Sequence, residues 1–297
     1  MAVAELEIPL DLENVQEETQ LTLIWRRFRR HKLALLGMSI AVSLVVIVAL
    51  ASVIAPYDPI AQDLANRNQG PTAAHLFGTD ELGRDLLSRL LFAGQISLTI
   101  GFSVAIGTTF IGMLVGAIAG YFGGLVDSIL MRIVDLILTL PQLPILLLLS
   151  AFFKGGGVPM LIIILMALNW TGSSRIVRGV VLSLRNQEFA EAARALGVSN
   201  LEIIARHMLP NALAPIIVAM TLGVGTAIIV ESSLSFLGFG VQLPTATWGN
   251  LLQNAQSDMF LAPWKAVLPG FFIFITSLSF NFMGDGLRDA LDPRMKV

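Results

Sequence analysis

The sequence predicts an all-α, polytopic membrane protein with about six transmembrane helices, and three observations carry that prediction. First, only 13% of its 297 residues are charged and 55% are hydrophobic, with a mean hydropathy of +0.76. Soluble domains carry roughly 25% charged residues, so this chain lacks the polar surface to cover a water-exposed body. Second, the apolar residues fall in long blocks rather than along amphipathic stripes. Third, the blocks divide the basic residues unevenly: fourteen Lys/Arg fall on the amino-terminal side of the membrane and five on the other. That bias follows the positive-inside rule and predicts both termini in the cytoplasm.

The chain divides into a tail, residues 1–32, and a membrane domain, residues 33–297. The tail opens with six acids and no base (Glu5, Glu7, Asp11, Glu13, Glu17, Glu18), a composition expected to stay disordered. Trp25–Lys32 (WRRFRRHK) then places five basic residues directly before the first apolar block, a topology signal rather than a nucleic-acid surface. That block, about 33–56, is long enough for a ~30 Å hydrocarbon core and longer than the apolar region of a cleaved signal, so it reads as an uncleaved anchor. Residues 57–94 are too polar to cross and form an external loop. The second span, about 95–119, carries Gly112-xxx-Gly116-xxx-Gly120, a spacing that lets two helix backbones approach in lipid. The third, about 129–153, contains Pro141 and Pro144 and is expected to kink. Lys154–Gly157 (KGGG) makes a turn into a short fourth span, about 158–172, and a polar segment, 175–211, follows. The fifth and sixth spans are about 212–239 and 264–283, separated by a loop that holds Trp248 and Asp258.

The segment 186–211 carries the most information. Phe189, Ala192, Ala193 and Leu196 recur at helical spacing, Gly197 suits a left-handed helix end, and Ser199 with Glu202 matches a capping box. Leu201, Ile204, Ala205 and Met208 give a second stripe, and Pro210 marks the return to the membrane. Such a hairpin has no soluble core, so it packs either on its own bundle or on a separate cytoplasmic partner. Pattern alone leaves the two equal.

The run Glu191-Ala192-Ala193-xxx-Gly197, followed by Leu209-Pro210, resembles the EAA loop of ABC-importer permeases, with His207 in place of the usual isoleucine. Residues 77–89 (FGTDELGRDLLSR), 236–250 (FLGFGVQLPTATWGN) and 284–295 (GDGLRDALDPRM) resemble the peptide-importer branch of that family, specifically its "C" permease. The resemblance implies the fold of a type I importer permease and a non-catalytic subunit in a bacterial or archaeal plasma membrane. It also implies a second permease as heterodimer partner, two ATPases that bind ATP and Mg, and an extracytoplasmic binding protein. It further implies that Glu191, Ala192, Ala193, Leu196, Gly197 and Pro210 contact an ATPase. Di- and oligopeptides are the implied substrates, with nickel and glutathione as alternatives within the family.

The chain has no cysteine, which excludes disulfides, thiolate metal sites and cysteine nucleophiles. His31, His75 and His207 show no metal-ligand spacing, and no phosphate-cradling G-x-x-x-x-G-K-[ST] is present, so neither metal nor nucleotide is expected on this chain. A secondary transporter would show internal repeats and midplane charges, and an intramembrane enzyme would show an acid–base set; neither pattern is clear. Glu231, near the outer end of the fifth span, is a candidate for the pathway or the partner interface. Asp127, Arg132 and Asp135 are spaced for pairing along one helix, and the charged 79–89 segment is expected to be helical and structural.

Overall fold

The computed structural model describes residues 20–153 and 155–291. The acidic tail, Lys154 and the last part of the 284–295 motif lie outside the described residues. The elements are α1 (Gln20–Arg30), α2 (Lys32–Ala49), α3 (Ala51–Ile54), α4 (Leu86–Phe122), α5 (Gly124–Thr139), α6 (Gln142–Phe152), α7 (Gly157–Leu184), α8 (Glu188–Ala195), α9 (Asn200–Ile203), α10 (Leu209–Phe236), α11 (Trp248–Asn254) and α12 (Trp264–Leu291). No named strand occurs among the described residues. Five helical stretches are long and apolar enough to cross a bilayer, and α5 with α6, bent by 87° across a short break, makes a sixth if the pair is counted as one span.

Several helices outrun the apolar windows of the sequence. The second crossing begins at Leu86, because Asp85 caps α4: its carboxylate accepts from the Ser88 amide (2.8 Å) and hydroxyl (2.7 Å). The 79–85 stretch expected to be helical is instead a turn, with Gly78 and Gly83 at positive φ. The fourth crossing does not end at residue 172 but runs to Leu184, carrying Arg175 and Arg178 inside the helix. Partners from α5 make this tolerable: Arg175 pairs with Asp135 (2.5 Å), and Arg178 forms a two-pronged pair with Asp127. Asp127 and Asp135 therefore pair with α7 rather than along their own helix. The kink in the third span falls at Leu140–Pro141, where both residues take extended backbone angles.

The chain's own contacts sort the helix ends. The end of α4 meets the segment after α7 through Tyr121 and Arg185, and α10 starts there as well. At the opposite end, Val48 of α2, Gly94 of α4 and Trp248 of α11 converge. The start of α2 and the end of α12 meet through Phe28, Ala34 and Ala290. The helix Gln20–Arg30, the end of α12 and the 186–211 hairpin thus share one end of the bundle.

Packing is built on the predicted glycine stripe. A Cβ on Gly112 would lie 2.6 Å from Ser173 Cβ, one on Gly116 2.9 Å from Val177 Cβ, and one on Gly120 2.8 Å from the Arg178 carbonyl oxygen. No side chain fits there, so α4 and α7 touch backbone to backbone. Trp248 anchors the other end. It is fully buried, its indole N–H donates to the Leu90 carbonyl (3.0 Å), and its amide donates to Ser97 Oγ (3.1 Å). Around it the loops at this end are tied by Arg84–Asp80 (2.7 Å) and Lys265–Asp258 (2.7 Å), so the 79–89 segment packs as a structural element of the chain.

Candidate functional site

The hairpin is two short helices joined at a tight corner. Helix α8 ends at Ala195 with Leu196 as its C-cap, and Gly197 follows at φ +77°. Gly197 N–H donates to the Arg194 carbonyl (3.0 Å) and Val198 N–H to the Ala193 carbonyl (3.1 Å), the paired bonds of a Schellman end. Ser199 opens α9 by accepting from the Glu202 amide (3.3 Å). The reciprocal half of the predicted box is replaced by a contact further along the helix, where the Glu202 carboxylate takes Arg206 (2.6 Å). Helix α9 then passes through one π turn, Ile204–Met208, into α10, so Pro210 sits inside the first turn of the membrane helix.

The hairpin has two apolar faces, and the sequence stripe mixes them. Ala190, Ala193, Ile203, Ile204 and Met208 are buried against Ala117, Tyr121, Val177, Val181, Ala212 and Ile216 of the membrane bundle. Phe189, Ala192, Leu196, Leu201 and Ala205 point away and are exposed, Leu196 by 83% and Leu201 by 73%. The periodicity groups Phe189, Ala192 and Leu196 with Ala193, but only Ala193 of that set packs inward. The register is fixed by contacts from distant residues. Tyr121 Oη and Asn200 Oδ1 are 2.9 Å apart, Arg185 Nη1 donates to the Gly120 and Tyr121 carbonyls (3.4 and 3.3 Å), and Arg194 Nη2 donates to the Arg185 carbonyl (2.9 Å). No local pattern encodes them. Glu191, Ala192, Leu196, Gly197 and Pro210 lie toward solvent, and Ala193 is the buried member of the candidate set. His207 is half-buried in the π turn.

Glu231 stands elsewhere. It is fully buried in α10, accepting from Ser235 Oγ (2.7 Å) and facing Ser232 Oγ (3.4 Å). Its own chain encloses the carboxylate, because α11 closes over it: a Cβ on Gly249 would lie 2.7 Å from Ser232 Cα. Within this chain it has no exposed surface. Among the described residues no group of three or more His, Asp or Glu is placed to hold a metal ion.

Residues 112–297 match the family of binding-protein-dependent transport system inner membrane components. Residues 19–71 match the N-terminal transmembrane domain of oligopeptide transport permease C. This chain belongs to that transport family. As a permease of the C type, it is similar along 92% of its length to several curated proteins. It is 41% identical over 273 residues to the dipeptide transport system permease protein DppC of Bacillus subtilis, covering 85% of that protein. It is 40% identical to DppC of Alkalihalophilus pseudofirmus, covering 89% of it. It is 44% identical over 274 residues to the glutathione transport system permease protein GsiD of Escherichia coli, covering 90% of it. The permease is therefore the membrane subunit of an importer, and the hairpin lies within the matched region.

Proposed function

We propose that this permease forms half of the translocation pathway of an ATP-driven importer of short peptides. A second permease completes the pathway, two ATPases with bound ATP and Mg drive it, and an extracytoplasmic binding protein delivers the substrate. Both termini and the hairpin face the cytoplasm, as the basic residues favour. The chain itself performs no chemistry and passes on force received at the hairpin. One observation carries this reading: a small hairpin glued to the bundle by one apolar face holds Phe189, Leu196 and Leu201 out on the other. A helix offered in this way suits a groove on a partner. The names of the relatives favour dipeptides and glutathione, and both are solutes built of peptide bonds.

The test is co-purification. ATPase subunits are expected to co-purify with the wild-type permease and to be lost with Leu196→Asp, which puts a charge on the exposed face without touching the bundle. Retention of the ATPases by Leu196→Asp together with Leu201→Asp refutes the hairpin as their seat.

A further inference from the structure

The exposed surface of this chain is not uniform at membrane depth. On α2 the outward residues are Leu36, Val42, Val46 and Ile47, and on α12 they include Val267, Phe271 and Phe274, all suited to lipid. The face made by α5, α6 and α7 differs. Asn169 sits near the middle of α7, ~18 Å from one end and ~22 Å from the other at 1.5 Å per residue. The broken corner of the third crossing reaches it there: Gln142 Nε2 donates to Asn169 Oδ1 (2.7 Å). Leu140, Pro141, Gln142 and Leu143 are all exposed at that corner, so helix ends and their backbone polar groups lie open at mid-depth. Less than two turns toward the hairpin along α7, the Arg175–Asp135 pair is about half exposed on each side (52% and 51%). Two cavities of about 260 Å³ each meet this surface, and both are lined by Asn169 and Gly172. Unlike the stripe that packs on α7, Gly172 has nothing within 4 Å of where a Cβ would stand.

Hydrocarbon does not tolerate this combination. Interrupted backbone at membrane depth persists only where protein buries it or water reaches it, and ionisable side chains there face a bundle interior or an aqueous cavity. Resting on the permease reading above, we infer that the α5–α6 corner, together with Asn169 and Gly172 of α7, is this chain's wall of the aqueous pathway at mid-membrane. The corner itself carries the carboxamides of Gln142 and Asn169, so it offers hydrogen bonds from uncharged groups. That chemistry suits a solute made of peptide bonds.

The native chain contains no cysteine, so each introduced thiol is the one thiol on this subunit, and the unsubstituted transporter gives the background from the other subunits. Gln142→Cys and Gly172→Cys, with Val46→Cys and Phe274→Cys as lipid-facing controls, are placed in the assembled transporter in membranes. They are then exposed to a cationic methanethiosulfonate reagent, which reacts with the thiolate. Thiols at 142 and 172 are expected to react at least about tenfold faster than those at 46 and 274, because only a hydrated thiol ionises. Their modification is expected to stop ATP-driven uptake. Reaction at 142 and 172 no faster than at the controls overturns the assignment. Co-purification of the ATPases with each variant is measured in parallel, so this failure stays distinct from failure of the importer reading. Where Gln142→Cys does not assemble, Gly172→Cys decides, since a Cβ there meets nothing within 4 Å.

Discussion

Replacement of Gly197 isolates what the hairpin corner contributes. The position has φ +77° and nothing within 4 Å of where a Cβ would stand, so a substitution meets no clash and acts through backbone conformation alone. Alanine in the left-handed region is expected to cost about 1 kcal/mol, and asparagine less. Valine is β-branched and does not settle there. It is expected to abandon the corner and with it the bonds Gly197 N–Arg194 O and Val198 N–Ala193 O. At roughly 0.5–1.5 kcal/mol per bond, added to the conformational cost, Gly197→Val comes to about 2–4 kcal/mol. At about 1.4 kcal/mol per factor of ten, that opens α8 and α9 some 30- to several hundred-fold more often. Amide hydrogen exchange over residues 188–203 reads this directly, and ATP-driven uptake reads its consequence. The expected order in both is wild type, Asn, Ala, Val. If valine leaves exchange and uptake at wild-type levels, the corner is not what holds the hairpin. If asparagine fails as badly as valine, the left-handed backbone is not the reason glycine is present.

Two further outcomes test the frame around the hairpin. Gly116→Val places a Cβ 2.9 Å from both Val177 Cβ and the Arg178 amide nitrogen, so α4 and α7 must part; a loss of about 3 kcal/mol or more is expected in thermal unfolding of the purified permease, with Gly223→Ala, which meets only ordinary contacts at 3.5 Å, nearly silent. Trp248→Ala empties a fully buried site and removes the indole hydrogen bond to the Leu90 carbonyl; about 3–5 kcal/mol is expected in the same assay, with Trp248→Phe intermediate.

Much of this architecture is legible in the sequence because it is written locally. The six crossings follow from apolar blocks, the α4–α7 contact from glycines four apart, the hairpin corner from Gly197, and the break from Pro141. What stays hidden depends on distant residues. Arg175 and Arg178 resemble the end of a membrane segment, since a hydropathy window cannot see that Asp135 and Asp127, 40 and 51 residues earlier, neutralise them. The inward face of α8 is ambiguous for the same reason: both sides of a small helix are apolar, and the choice of Ala190 over Phe189 belongs to the bundle it sits on. Trp248 reads as a loop residue because its partners, Leu90 and Ser97, lie 158 and 151 positions away. Glu231 is conspicuous in the sequence as a membrane carboxylate, but its enclosure by the serine one turn on and by α11 depends on the fold.

At 37 residues, α4 is ~55 Å long, nearly twice the ~30 Å of hydrocarbon it crosses. One extremity carries the Trp248 indole and the other holds Tyr121 beside Asn200 of the hairpin. Such a rod has a simple kinematic property: pivoting by about 10° about either extremity sweeps the opposite one through roughly 10 Å. Because its glycines mate it to the backbone of α7, the two rods move as a single beam, and the end that holds Trp248 shifts with any displacement imposed on the hairpin end.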